Sequence, residues 1–281
     1  INLNDFIQKL EKIKIQIENQ SIFHLTEFYT FLETLQLHSF LRSALDCAYW
    51  DLFGKLEKKS FLELNAIEIN KLPESSITIS VAPIEEQLQK IANSNWNKFK
   101  LKCNNYDQNA IDLLLKSGKE IALDANGSFS ADNCQQLEEN SSTANFTYIE
   151  QPLKIGISNY KQLNASKYAN WMADEDCQEA TKLSDLKSHY KTINIKLVKT
   201  GGLTPALQLI KDARANNLKI MIGCMTESTV GISAGAVLTP LVDYVDLDGA
   251  NLIANDIALG STIERGNVLL SDKPGLGISL K

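Results

Sequence analysis

Five short runs in the middle of this chain each end on a charged residue, and they recur at nearly even spacing. They read Phe99-Lys100-Leu101-Lys102, Ile121-Ala122-Leu123-Asp124, Thr147-Tyr148-Ile149-Glu150, Trp171-Met172-Ala173-Asp174 and Ile193-Asn194-Ile195-Lys196. From Lys102 onward the terminal charges step by 22, 26, 24 and 22 residues. A strand, a loop, a helix and a return loop take about that many residues, so the spacing predicts successive strands of a parallel α/β fold. Charges at strand ends in such a fold face one shared mouth. Three carboxylates there can hold a hard cation, and lysines beside them can move protons.

The pattern extends in both directions. Eight β-rich runs span residues 77–81, 98–102, 120–124, 146–150, 170–174, 192–197, 219–223 and 243–248, with helical stretches such as 83–93, 107–117, 177–188 and 203–217 between them. Eight strand–helix units are the count of a closed barrel. Residues 1–72 are expected to be a separate, largely helical unit. Phe6, Leu10, Ile13 and Ile17 form one apolar stripe at helical spacing, and Leu41, Ala44, Leu45, Ala48, Tyr49 and Leu52 form another. The barrel is expected over 73–250. The last segment, 251–281, has no helix-long pattern, carries the loop signal Pro274-Gly275-Leu276-Gly277, and is expected to return to the N-terminal helices.

Composition narrows the function. The formal net charge is −6 and the basic residues are scattered, which argues against a nucleic-acid partner. No apolar run approaches the roughly 20 residues of a membrane span. Five cysteines without CxxC or zinc spacing fit a reducing compartment, and a cytoplasmic location is expected. The opening Ile1-Asn2-Leu3-Asn4-Asp5 is not a signal peptide, and a start without Met fits a fragment or a processed chain.

Asp124, Glu150 and Asp174 close three consecutive strands. Oxygen-only ligation with open positions for water and substrate suits Mg2+. The alternative is that each acid caps the helix that follows it. Asn126 is placed to orient Asp124, and Glu175 to partner Lys196. Lys100 and Lys102 alternate on one strand and so share a face, where like charges are expected to depress each other's pKa and prepare a base. Lys196 lies on the far side of the barrel. Ile222-Gly223-Cys224-Met225-Thr226-Glu227-Ser228 reads as a binding loop. Asp246 and Asp248 alternate on the eighth strand and could hold a cationic substrate group or simply solvate the rim. Gly201-Gly202 gives a weak phosphate-turn signal. His24, His38 and His189 have no ligand spacing.

Together the Lys-x-Lys run, Asp124-Ala125-Asn126, Glu150-Gln151-Pro152, Asp174-Glu175 and Asn194-Ile195-Lys196 resemble the enolase superfamily, muconate-lactonizing subgroup. Ala44-Leu45-Asp46-Cys47-Ala48-Tyr49-Trp50-Asp51-Leu52 resembles the helix of its capping domain. Within the subgroup, Lys196-Leu197-Val198-Lys199-Thr200-Gly201-Gly202, Gly223-Cys224-Met225 and Asp246-Leu247-Asp248-Gly249 look most like dipeptide epimerases, the L-Ala-D/L-Glu type included. The resemblance implies a modified TIM barrel, (β/α)7β, under an α+β cap whose first strands would precede residue 1. It implies Mg2+ on Asp124, Glu150 and Asp174, and Lys102 and Lys196 as the two acid/base catalysts with Lys100, Asn126 and Glu175 assisting. Asp246 and Asp248 would receive the α-ammonium of a dipeptide, with Cys224 and Met225 lining its site. A role in cell-wall peptide metabolism and a homo-oligomeric state complete the expectation. A lysine base working with a metal on an enediolate is the known pattern of such sites. Within the subgroup, o-succinylbenzoate synthase and N-acylamino acid racemase are rivals, both disfavoured by the acidic pair. A non-catalytic ligand-binding barrel is the remaining alternative.

Overall fold

The computed structural model describes residues 2–21, 24–164, 167–178 and 181–281. Ile1, Ile22 and Phe23 of the helical N-terminal stretch lie outside the described residues, as do Ala165 and Ser166. So do Glu179 and Ala180 of the sequence-predicted helix 177–188. Four helices come first: α1 (Leu3–Glu18), α2 (Leu25–Thr34), α3 (Ser39–Glu57) and α4 (Phe61–Leu64). The strands and helices then alternate: β1 (Ile77–Ile79), α5 (Ile84–Ala92), β2 (Lys98–Lys102), α6 (Gln108–Leu115), β3 (Glu120–Asp124), α7 (Ala131–Glu139), β4 (Ile149–Glu150), α8 (Ile157–Tyr160), β5 (Trp171–Ala173), α9 (Leu183–Leu186), β6 (Thr192–Ile195), α10 (Leu197–Thr200), α11 (Leu203–Ala215), β7 (Lys219–Gly223), α12 (Thr229–Ala236) and β8 (Tyr244–Asp246). No described helix is long and apolar enough to cross a membrane.

The strands pair in parallel in chain order from β1 to β8. The sheet closes on itself between its ends, where the Ser76 N–H donates to Val245 O at 3.0 Å and Ser75 bridges Val245. This is the barrel the eight runs predict. The apolar runs are long because parallel strands covered by helices are buried on both faces: Ile193, Ile195, Ile220, Ile222 and Ile149 are all shut from solvent. Five strands, β1, β4, β5, β6 and β8, are shorter than their runs. Only Ile149–Glu150 of 146–150 is in strand, and β8 stops at Asp246. Asp248 instead opens a 3-10 turn, Asp248–Leu252, so strand alternation does not explain its placement.

Helix α3 lies across α10 and the start of α11. The N-cap of helix α11 is Gly202, which has no side chain with which to cap it. Asp46 of α3 does this instead: Thr204 N–H donates to Asp46 Oδ2 at 2.9 Å and Thr204 Oγ1 donates to Oδ1 at 2.7 Å. Trp50 Nε1 donates to the same hydroxyl at 2.9 Å. A carboxylate at a helix N-terminus satisfies orphan N–H groups and meets the positive end of the helix dipole. The glycine turn therefore receives an anion, but that anion is the chain's own carboxylate rather than a phosphate. Gly202 is at φ +130 and a Cβ there would overlap Asp46; at Gly201 (φ +94) a Cβ would crowd Arg42 and Tyr29. Beyond β8 the chain runs back to α3 and α4, where Leu276 N–H donates to Asp51 Oδ1 at 2.9 Å and Phe61 N–H to Gly275 O at 2.9 Å.

Candidate active site

The register of the barrel brings the strand-end charges together. Lys102 pairs with Asp124 and Asp124 with Glu150 as lateral neighbours on β2, β3 and β4. Asp174 and Lys196 follow directly on β5 and β6. Asp124, Glu150, Asp174, Lys100, Lys196, Asp246 and Asp248 are all buried, and Lys102 is more open. The mouth thus holds the carboxylates of β3, β4 and β5 in a row and those of Asp246 and Asp248 at the β8 side, with lysines beside them.

Lys100 stands at the centre. It forms an ion pair with Asp246, and its Nζ lies 3.5 Å from Glu150 Oε2 and 3.9 Å from Asp124 Oδ2. Burial alone would push this ammonium down. The surrounding Asp246, Glu150 and Asp124 outweigh burial and hold it well above the usual lysine range. The expected mutual depression of Lys100 and Lys102 is therefore not what the environment of Lys100 produces. Lys100 is a fixed cation.

At one flank, Lys102 Nζ donates to Asp124 Oδ2 at 3.2 Å and to Asn126 Oδ1 at 3.0 Å. Asn126 N–H donates to Asp124 Oδ1 at 3.2 Å, so Asn126 touches both groups, and its Nδ2 donates to Glu175 Oε1 at 3.1 Å. Glu175 is thus tied to Asn126 rather than to Lys196 as the sequence suggests. Burial, then the charge of Asp174, raises the pKa of Glu175. At the other flank, Lys196 Nζ donates to Asp174 Oδ2 at 2.8 Å. Burial opposes its charge, but Asp174 and Glu150 prevail and raise its pKa. Lys199, within the Lys196–Gly202 motif, also reaches the site. It pairs with the Asp174 carboxylate and donates to Asp174 O at 2.5 Å. Its signal was its place one turn beyond Lys196. Burial works against the Asp174 charge, yet Lys199 and Lys196 hold its pKa low.

Glu150 lies between these flanks. Asn194 Nδ2 donates to its Oε1 at 2.6 Å, while the buried Oε2 has no hydrogen-bond partner. Burial and the neighbouring Asp124 and Asp174, partly offset by Lys100, push its pKa up to about 8. Among the described residues no three His, Cys, Asp or Glu side chains are grouped closely enough, as they stand, to hold a metal ion. The carboxylates instead engage lysines. The donor set still suits a hard divalent cation: three carboxylates at the ends of adjacent strands, all oxygen donors, with a buried Glu150 Oε2 that accepts no hydrogen bond among them.

The eighth strand closes the ring. Asp246 accepts from Ser76 Oγ at 2.7 Å as well as from Lys100. Asp248 Oδ2 accepts from Thr78 N–H at 2.7 Å, across the β8–β1 closure. Burial and then Asp246 push Asp248 up to about 6. Cys224 N–H donates to Asp246 O at 3.1 Å, and burial with both aspartates raises its thiol well above the usual range. Met225 is exposed beside it.

A family model described as enolase C-terminal domain-like matches residues 84–281. The chain belongs to the enolase superfamily. This superfamily member is 36% identical over 288 residues to an L-Ala-D/L-amino acid epimerase of a Maribacter species, covering 100% of this chain and 84% of that enzyme. It is 34% identical over 229 residues to the L-Ala-D/L-Glu epimerase of Escherichia coli, covering 77% of this chain and 69% of that enzyme. It also superposes on the solved dipeptide epimerase of Methylococcus capsulatus complexed with Mg and L-Arg-D-Lys. That match has a TM-score of 0.79 and 28% identity, covering 90% of this chain and 77% of that one.

Proposed function

We propose that this chain is a Mg2+-dependent dipeptide epimerase that inverts the α-carbon of the C-terminal residue of an L-Ala-X dipeptide. The observation that carries the reading is the flanking of one carboxylate row by two lysines, Lys102 against Asp124 and Lys196 against Asp174. An α-carbon held between two such groups can lose its proton to one, become planar, and take a proton from the other on the opposite face, which inverts it. Asp124, Glu150 and Asp174 would hold Mg2+, which when bound supplies positive charge to the substrate carboxylate and offsets the field that keeps Lys196 protonated. Lys102, oriented by Asn126, takes or returns the proton on one face. Lys196 does so on the other. Lys100 stays charged and supplies a fixed positive field beside Glu150.

The substrate's α-ammonium is assigned to the acidic pair. Asp246 already has Lys100 as a counter-ion, so Asp248 is the stronger candidate for a direct charge-assisted hydrogen bond. The acidic pair disfavours an N-acylated substrate and the o-succinylbenzoate synthase reaction, neither of which brings an ammonium. The test is α-proton exchange of L-Ala-L-Glu and L-Ala-D-Glu in D2O, followed by NMR. Both epimers should gain deuterium and interconvert, EDTA should stop exchange, and Mg2+ should restore it. Exchange that survives chelation and dialysis would remove the metal from the reading. Equal turnover of the N-acetylated dipeptide would remove the ammonium assignment.

A further inference from the structure

One buried side chain outside the reacting groups touches every loop that carries a carboxylate of the row. Gln151 follows Glu150 directly and is 1% exposed. Its Oε1 accepts from Asp174 N–H and Asp176 N–H, each at 3.1 Å. Its Nε2 donates to Leu153 O at 2.9 Å and to Asp176 Oδ2 at 2.7 Å. All four hydrogen-bonding positions of the amide are used, two as acceptor and two as donor, so its orientation is fixed by its partners. Its backbone adds two links. Gly127 N–H donates to Gln151 O at 2.7 Å, and Gln151 N–H donates to Met172 O at 2.8 Å. The loops that follow Asp124 on β3 and Glu150 on β4, and the one after β5 that opens with Asp174, are thus pinned to one residue.

Two further features show that the arrangement is over-determined. Gln151 sits at φ +36, in the left-handed region that a non-glycine residue keeps only where its surroundings hold it there. Asp176, its charged partner, is itself locked by Tyr190 Oη at 2.8 Å and by Gly156 N–H at 2.7 Å. The Asp176 carboxylate is thus taken up by Gln151, Gly156 and Tyr190, and it serves the loop.

We infer that Gln151, backed by Asp176, is a positioning residue that sets the spacing of Asp124, Glu150 and Asp174 and thereby the affinity of the site for a divalent cation. The inference rests on the Mg2+ reading above. Its reach is through the backbone: moving the Asp174 and Gly127 amides moves the carboxylates they precede or follow. Outer partners of this kind commonly change metal affinity by about 10- to 100-fold.

The experiment uses the full chain. Mg2+ affinity is measured by calorimetry and Mn2+ affinity by electron paramagnetic resonance, and amide exchange is followed in metal-free protein. Gln151→Ala should weaken Mg2+ by about tenfold or more. It should also speed exchange at the Asp174 and Asp176 amides while those of α3 stay protected. Gln151→Glu keeps the acceptor toward both amides but sets a carboxylate against Asp176. Adding Asp176→Asn should therefore restore part of the affinity that Gln151→Glu loses. If Gln151→Ala binds Mg2+ as the wild type does while Asp174→Asn does not, the positioning role is wrong and the metal reading stands. If the wild type itself fails to bind Mg2+ or Mn2+, both fall. If Gln151→Ala does not fold, the pair Gln151→Glu and Gln151→Glu/Asp176→Asn decides: equal affinities overturn the inference.

Discussion

Two buried carboxylates in this molecule have similar surroundings and opposite meanings. Asp46, in the seam between α3 and α11, and Glu150, in the barrel mouth, are both shut from water, and burial pushes both upward, to about 6 and about 8. Asp46 has partners on both oxygens, from Thr204 N–H and Thr204 Oγ1. Glu150 has Asn194 on one oxygen and nothing hydrogen-bonded to the other. A saturated buried charge is an architectural joint. A buried carboxyl with one oxygen that accepts no hydrogen bond and faces only the Lys100 ammonium at 3.5 Å, next to two more carboxylates, keeps an acceptor for a ligand. The difference separates structure from chemistry more sharply than burial or pKa does.

The comparison can be broken most decisively at the mouth. Lys102→Ala and Lys196→Ala should each lower turnover about 100- to 10,000-fold, with a cooperative thermal transition retained. Each should spare α-proton exchange from one epimer and abolish it from the other. Equal loss from both epimers in both variants would break the two-face assignment. At the seam the reverse is expected. Gly202→Ala must place a Cβ against Asp46 at a φ hostile to side chains, and should cost roughly 2–5 kcal/mol in urea unfolding with kcat of the folded protein unchanged. An unaltered unfolding midpoint would mean that α3 does not depend on that joint.

The smallest effect is in pH. Asp46 is raised from 3.8 to about 6 in the fold, so the folded state binds its proton more tightly than the unfolded chain does. Its contribution is complete below about pH 4 and is lost as pH rises through about 6, by at most about 3 kcal/mol. Asp46→Asn should flatten that part of the stability profile between pH 4 and 6. A variant whose profile runs parallel to the wild type would place the titration elsewhere.

The barrel was legible because its signal is periodic: strand ends carry charges, and a parallel strand buried on both faces must be apolar along its length. The same logic brought Asp124, Glu150, Asp174, Lys102 and Lys196 into one mouth. What the sequence hid were relations set by three-dimensional context. Lys100 and Lys102 looked set to depress each other's pKa, but Asp246, 146 residues away in sequence, pairs with Lys100 and helps hold its pKa up. Glu175 looked like a partner for Lys196 because both are near Asp174, yet the loop after β3 delivers Asn126 to it first. The Gly201-Gly202 turn looked ready for an anion, and no local pattern says that α3 supplies one. Asp248 looked like a strand residue, whereas β8 ends two positions earlier.

Asp248 also carries an obligation that bears on how this site can change over time. Its carboxylate takes the Thr78 N–H across the junction where the first and last strands meet. A residue recruited there to welcome a different head group inherits the duty of accepting that N–H. Hydrophobic replacements would leave the amide orphaned at the junction, so drift toward new substrates at this position is confined to side chains that offer an oxygen at the same reach. In the proposed assignment of the substrate ammonium to Asp248, selectivity and barrel closure rest on one residue, so a change made for the first disturbs the second.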